Sequence, residues 1–296
     1  MSKLPIIIDT DPGVDDFFCI ALGLTYSDLF DLQGISTMGG NNYTEVTTQN
    51  ALNIVSLFGK DTPIVKGSTS YLKEEFSKPV TRFHGANGLG DITIPQSDKK
   101  PLDITVEDFI YQTAKKYSGQ LILVPVGPLT NIARSFLKYP DLKDHLKKIV
   151  LMGGSTDKGN ITKYAEANIG HDRFAADIVF KSGVPIDMIG LNVTLKANLP
   201  REVFDPISTH FPTEIRKVMQ GLIDFRNGEP MHDAVAISSI IDENVLKFED
   251  AHVHIELEDQ ERLGQTICDF NSNNPNCRVA TSINLDDYYN IIKNMF

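Results

Sequence analysis

The stretch "IIIDTDPGVDD", residues 6–16, sets three isoleucines directly before four aspartates crowded into eight positions. A short apolar run of β-branched residues reads as a buried strand, and Val14–Leu24 behind it reads as an amphipathic helix. The acids therefore fall at the carboxyl end of a strand. Like charges this close raise one another's pKa and resist joint ionisation unless a cation or a set of N–H donors relieves them. Asp15 and Asp16 fit the first turn of the helix, where negative charge meets the positive end of the dipole. Helix capping leaves Asp9 and Asp11 unexplained, whereas a hard divalent cation, Ca²⁺ or Mg²⁺, relieves the whole cluster.

Outward from this unit, short runs rich in Ile, Leu and Val alternate with helical patterns. Strand-like segments are Leu32–Met38, Pro63–Val65, Leu121–Pro125, Ile149–Met152 and Pro185–Ile189. Between them lie helical patterns at Val46–Phe58, Val106–Lys116, Leu129–Leu137 and Arg173–Phe180. The last third is more helical (Glu214–Phe225, Asp233–Ile241, and a terminal helix near Asp286–Asn294), with one strand at His252–Leu257. This order predicts an α/β fold: one domain over residues 1–296, with a largely parallel central sheet covered by helices on both faces.

The chain has 296 residues, 41% of them hydrophobic, and a net charge of −11. That balance, without any Lys/Arg-rich run, argues against nucleic acid or an anionic membrane as partner. The opening "MSKLPIII" meets aspartate before a signal-peptide core forms, so cytoplasmic residence is expected. Three cysteines (Cys19, Cys268, Cys277) without a C-x-x-C pair read as reduced thiols, although Cys268 and Cys277 could meet across a hairpin.

Ligands in open α/β sheets bind beyond the carboxyl ends of the strands. The residues just past each strand therefore make up the expected site: the aspartates after the first, Gly39-Gly40-Asn41-Asn42 after the second, "VGPLTN" (126–131) after Leu121–Pro125, and Gly153-Gly154 after Ile149–Met152. Two further elements carry chemistry. "PMHDAV" (230–235) opens a helix, with Asp233 either a remote metal ligand or a cap, and His232 either a proton donor or a surface residue. "GNITKYAEANIGHD" (159–172) offers Asn160, Glu166 and Asn168, groups suited to sugar hydroxyls or to a solvated loop. Two motifs are decoys. "GANGLG" (85–90) comes after no strand, its glycine order is wrong for a dinucleotide fingerprint, and it reads as a mobile flap. "HVHIE" puts His252, His254 and Glu256 on one strand face, which would suit zinc, but half-exposed alternation explains it more cheaply.

Together these motifs resemble the inosine-uridine-preferring nucleoside hydrolase family. The resemblance rests on "DTDPGVDD" (9–16), "GGNN" (39–42), "HGANGLG" (84–90), "VGPLTNIA" (126–133), "LMGG" (151–154), "GNIT" (159–162) with "AEANI" (165–169), and "MHDAV" (231–235), in order along nearly the whole chain. It implies a Rossmann-like nucleoside hydrolase fold and Ca²⁺-dependent cleavage of a ribonucleoside into ribose and free base. It also implies a homodimer or homotetramer. Carried over residue by residue, Asp11, Asp16, Asp233 and the Val126 carbonyl would bind Ca²⁺, and Asp11 would be the general base. Asp15, Asn160, Glu166 and Asn168 would hold ribose hydroxyls with Asn41 close by, His84 would sit on the flap, and His232 would assist departure of the base. Such cleavage passes through an oxocarbenium-like state, and carboxylates fixed around the ribose favour its positive charge.

The chain departs from the family pattern at Ala167, where relatives often carry Phe, and in the short segment "FRNGEPMH" (225–232) that contains Arg226. Cys19 stands where a small alanine is common. Two rival readings remain. One is a haloacid-dehalogenase-like Mg²⁺ phosphatase using "DTD", whose pattern wants Thr or Val where this chain has Gly13. The other is a non-catalytic ribose- or nucleoside-binding protein on the same metal site. The phosphatase gives no reason for "MHDAV" or "AEANI", and the binding protein gives none for a full set of acid, base and leaving-group residues.

Overall fold

The apolar run of residues 6–8 becomes the middle of a sheet whose two faces are both buried. The structure is a computed structural model and describes residues 2–73, 76, 79 and 81–296. Among these, nine strands occur in chain order: β1 (Leu4–Thr10), β2 (Phe30–Thr37), β3 (Ile64–Lys66), β4 (Leu121–Pro125), β5 (Leu146–Met152), β6 (Ile186–Ile189), β7 (Leu246–Ile255), β8 (Thr266–Asp269) and β9 (Cys277–Ile283). They form one sheet in the order β3-β2-β1-β4-β5-β6-β9-β7-β8. Every pairing from β3 to β9 is parallel, while β7 runs antiparallel to both β9 and β8.

Strand residues divide between the faces with period two, although their sequences look uniformly apolar. Ile6, Ile8, Ile122, Val124, Val150 and Met152 join one core with the helices Val14–Thr25, Thr44–Leu57, Thr213–Arg226, His232–Ile241 and Leu285–Lys293. Ile7, Leu121, Leu123, Ile149 and Leu151 join the other, under Val106–Tyr117, Thr130–Lys138 and Arg173–Phe180. A strand buried on both sides has no polar face, so its sequence shows no alternation.

The chain leaves β1 for β2 on one side, while β4 lies on the other. That reversal opens a crevice at the carboxyl ends of β1 and β4, the place where such sheets bind ligands. The Val126 amide donates to the Asp9 carbonyl at 2.8 Å, so the two strand ends stay together where the chains diverge.

The structure differs from the sequence expectations mainly in short elements. β8 and β9 carry no clear sequence signal, and β7 starts at Leu246 rather than His252. Four residues, as in β8, are too few to carry a period. Short helices also form at Thr81–His84, Ala167–His171, Leu191–Thr194 and Arg201–Ile207, each held by neighbours rather than by length. All three cysteines are free. Cys268 pairs with Val253 and Cys277 with Ala251, so β7 runs between them and no hairpin brings them together. No described helix is long and apolar enough to cross a membrane.

Phe17 and Tyr288 are both fully buried in the first core, but the Tyr288 hydroxyl has no hydrogen-bond partner. Phe17→Ala should lower unfolding free energy by about 3–5 kcal/mol. Tyr288→Phe removes a desolvated polar atom and should leave stability unchanged or raised; urea titration of both variants beside the parent measures the contrast.

Candidate active site

Asp11 lies just past β1, and the chain makes room for its carboxylate. A Cβ on Gly40 would sit 1.9 Å from Asp11 Oδ2, and one on Gly127 would sit 2.6 Å from Oδ1. Only glycine at both positions lets these backbones close on the acid. The Asn41 N–H donates to Asp11 Oδ2 at 2.6 Å, and the Asn41 Nδ2 reaches the Asp11 carbonyl at 3.2 Å and Asp16 Oδ2 at 3.0 Å. Asn41 thus binds the β1 and β2 loops to each other through the two acids.

Asp16 doubles as a helix cap. Its Oδ2 accepts from the Gly13 N–H at 2.9 Å, three residues back, and its Oδ1 accepts from the Thr10 hydroxyl. Asp15, Asp16 and Asp233 bring carboxylate oxygens within 4.8 Å of one another, and all three are buried. Asp233 comes from the first turn of the helix His232–Ile241, which packs along Val14–Thr25.

Burial and mutual repulsion set the charges here. Burial, then the charge of Asp16, pushes Asp11 well above the usual carboxylate range. Asp16 rises to about 6 through burial and the charge of Asp15. Asp233 rises too, through burial and then Asp15 and Asp16. Asp16 and Asp233 therefore resist joint ionisation without a counter-charge. Asp15 is the exception: burial pushes it up, but the nearby Arg226 guanidinium, His84 and His232 outweigh that and hold it low.

Two of these oxygens, Asp11 Oδ1 and Asp15 Oδ1, are buried without a hydrogen-bond partner. Native proteins seldom leave such atoms unmatched. Hard oxygen donors in this number fit a divalent cation of the Ca²⁺ or Mg²⁺ kind, which would supply the missing partner and allow joint ionisation. Among the described residues no other close group of three potential ligands occurs. His252 and His254 point from β7 without forming one, and the His252 Nδ1 instead faces the Asn274 carbonyl at 3.1 Å.

The expected sugar-side residues divide. Asn168 Nδ2 donates to the Val126 carbonyl at 2.8 Å and to the Met152 carbonyl at 3.1 Å, fixing the ends of β4 and β5. Glu166 caps the helix Ala167–His171, with Oε1 accepting from the Asn168 N–H at 3.0 Å. Its Oε2 accepts from the N–H groups of Gly154 at 2.9 Å and Ile169 at 3.1 Å. Burial nonetheless raises Glu166 to about 7. Asn160 is exposed and accepts from the Ala167 N–H at 2.9 Å. The segment 159–166 is thus a folded turn over a capped helix.

His84 closes the other wall. Its Nδ1 accepts from the Val14 N–H at 3.1 Å and lies 3.8 Å from Asp15 Oδ1. An accepting Nδ1 puts the ring proton on Nε2. Burial lowers the pKa of His84 to about 4, and burial likewise brings His232 to about 4. His232 Nδ1 pairs with the Thr194 hydroxyl at 2.8 Å. The "GANGLG" segment is stitched down rather than loose: Asp91 Oδ1 accepts from Ala86 and Asn87, while Asn42 and Asn50 donate to the Ala86 and Asn87 carbonyls.

Several supporting residues carry no usable signal in the sequence. Thr194 sits in a short apolar segment, and Thr10 is lost among the aspartates that flank it. Asn131, present in "VGPLTNIA", donates to Asp9 Oδ1 at 2.8 Å, beside the hydroxyl of Ser36 at 2.5 Å. Asp9 therefore lies in its own pocket, outside the acid trio, with burial raising it from 3.8 to about 7. Arg226, flagged by its short segment, is buried and reaches the Phe83 and Pro230 carbonyls.

Residues 6–290 match the model of the inosine-uridine preferring nucleoside hydrolases. A pyrimidine-specific ribonucleoside hydrolase of Shewanella oneidensis is 36% identical over 90% of this chain and 86% of that protein. A non-specific ribonucleoside hydrolase of Salmonella newport is 32% identical over 100% of this chain and 98% of its own. Among solved structures, a purine-preferring ribonucleoside hydrolase from Gardnerella vaginalis superposes with a TM-score of 0.91 at 32% identity, covering 98% of this chain and 97% of that one.

This geometry has two measurable consequences. Gly40→Ala should displace the Asp11 carboxylate and abolish metal-dependent stabilisation while the protein stays folded; thermal melts with and without added Ca²⁺, read beside circular dichroism, check this. For Asp9, a folded pKa above the unfolded one means stability that is full at low pH and lost as pH rises through about 7. Asp9→Asn removes that loss, so its advantage over the parent should grow by about 1.4 kcal/mol per unit between about pH 5 and about pH 7, measured by urea unfolding in chelator.

Proposed function

The chain belongs to the inosine-uridine preferring nucleoside hydrolase family, and from that premise we propose that it is a Ca²⁺-dependent N-ribohydrolase that splits ribonucleosides into ribose and free base. The observation that carries this reading is the buried cluster of Asp11, Asp15, Asp16 and Asp233 at the β1/β4 crevice, with Asp11 Oδ1 and Asp15 Oδ1 still lacking partners. Relatives named pyrimidine-specific, non-specific and purine-preferring support the activity without favouring one base.

In this reading Asp11, Asp16, Asp233 and the Val126 carbonyl hold Ca²⁺. Bound there, the ion would lower the pKa of water modestly and help seat the ribose diol. Because Ca²⁺ acidifies water less than zinc does, a carboxylate base is still required, and Asp11 is that base. Asn41 holds Asp11 by its backbone N–H and keeps the accepting oxygen oriented. Asn168 aims the Val126 carbonyl by holding it from the side. Asp15, Asn160, Glu166 and Asn168 take the sugar hydroxyls. Oε1 of Glu166 keeps a lone pair beyond its single N–H contact. Arg226 keeps Asp15 ionised, so a fixed negative charge faces the ribose as it becomes cationic. His84 and His232 stand on the side of the base, with His232 oriented by Thr194.

A homodimer or homotetramer accords with the family resemblance. The phosphatase reading finds no support, because Asp9 is taken up by Ser36 and Asn131 rather than held out as a nucleophile.

Purified protein stripped with chelator should release no base from a panel of purine and pyrimidine ribonucleosides, and Ca²⁺ should restore release. A 2′-deoxynucleoside should be cleaved about 10⁴-fold more slowly than its ribo counterpart, since a hydroxyl-binding site is left with unpaired polar groups. Full turnover in chelator, or equal kcat/KM for the two sugars, would sink this assignment.

A further inference from the structure

Arg226 ends the helix Thr213–Arg226 and is only 7% exposed. Its Nη2 donates to the Pro230 carbonyl and its Nη1 to the Phe83 carbonyl at 3.5 Å. The Nε, buried as well, has no partner. Next to it in sequence, Phe225 packs where a Cβ on Gly90 would sit, 2.8 Å away. The guanidinium is therefore fixed between the turn that carries His84 and the segment that leads into His232. Its charge acts on Asp15, His84 and His232 at once. A buried guanidinium with an unmade hydrogen bond is costly, and it cannot shed its proton to escape that cost. A strut between two carbonyls would not require the charge.

We propose that Arg226 binds the leaving group: its guanidinium donates to the departing base and stabilises the negative charge that builds there. This rests on the N-ribohydrolase reading above. As the C1′–N bond breaks, its electron pair goes to the base nitrogen, while a C1′–O bond forms to water. The proton that water gives up to the carboxylate base is matched by the one the base anion takes up on release, so atoms and charge balance. A fixed cation in a desolvated wall is worth far more to that anion than one in water. The bases served are those with a carbonyl oxygen or ring nitrogen able to accept, such as uracil and hypoxanthine.

The test compares uridine and inosine with p-nitrophenyl riboside, whose leaving group needs no help, at saturating Ca²⁺. Arg226→Gln should lower kcat on the nucleosides by about 10²–10³-fold, the usual cost of a lost transition-state donor. The nitrophenyl substrate should lose only the part that acts through Asp15, which both substrates share, and so far less than the nucleosides. Arg226→Lys should recover part of the nucleoside rate. Equal losses on both substrates would overturn the proposal and leave Arg226 as a strut on the Phe83 and Pro230 carbonyls. A second measurement needs only the unaltered protein: a nitro-substituted uracil, anionic at neutral pH, should inhibit more tightly than uracil. Equal inhibition would reject the proposal whether or not the variants fold. If the unaltered protein released base from no riboside at all, the fault would lie with the reading of the function.

Discussion

Burial of several carboxylates at one strand end is the constraint around which the rest of this molecule is arranged. Repulsion among Asp11, Asp15, Asp16 and Asp233 in a desolvated crevice costs several kcal/mol unless opposite charge or N–H donors answer it. The fold answers in several ways. A helix N-terminus faces Asp15 and Asp16, the Asn41 backbone and side chain bond Asp11 and Asp16, and Arg226 lowers Asp15. What remains unanswered, on Asp11 Oδ1 and Asp15 Oδ1, is the place a divalent cation would take. Structure and proposed chemistry are here one problem, since the groups that need a cation are those that would hold a sugar becoming cationic.

The central sheet is what allows that concentration of charge. β1 and β4 are covered on both faces, and the chain turns to opposite sides beyond their ends, where the acids gather. Amides do the finer work of holding it in shape. Asn168 spans the ends of β4 and β5, Asn131 joins Asp9 to the Thr37 carbonyl, and Asn50 joins the Pro12 turn to the flap. An amide offers donor and acceptor without charge, which suits a neighbourhood already loaded with carboxylates.

The fold was legible because its strongest signals are long or repeated: Ile6–Ile8, Leu121–Pro125 and Ile149–Met152 are central strands, and the helices behind them are amphipathic. β8 and the helix Ala167–His171 were not, being too short to carry a period and fixed by partners far along the chain. The site divides in the same way. Clustered acids announce themselves because their chemistry demands a reason, and loop residues such as Asn41 stand out by their place after a strand. Thr194, which orients His232, and the structural use of Asp9 depend on contacts between distant segments, which a single sequence does not encode locally. Asn160, Glu166 and Asn168 were visible as polar residues, but the capping and carbonyl-fixing bonds made by Glu166 and Asn168 were not.

The crossing at the Val126 amide and the Asp9 carbonyl carries a further meaning for how the chain reaches its native state. β1 and β4 are neighbours in space, yet they are separated in sequence by two other strands and the helices between them. Asp233 arrives still later, from the last third of the chain. Contacts of such long range form late and close slowly. The acid cluster is therefore assembled only when the centre of the sheet has zipped and the helix His232–Ile241 has docked. A partly folded chain presents dispersed, solvated carboxylates with little mutual repulsion, and the electrostatic strain appears in the closing step itself. A cation that relieves this strain would act on the last stage of folding and leave the earlier ones untouched.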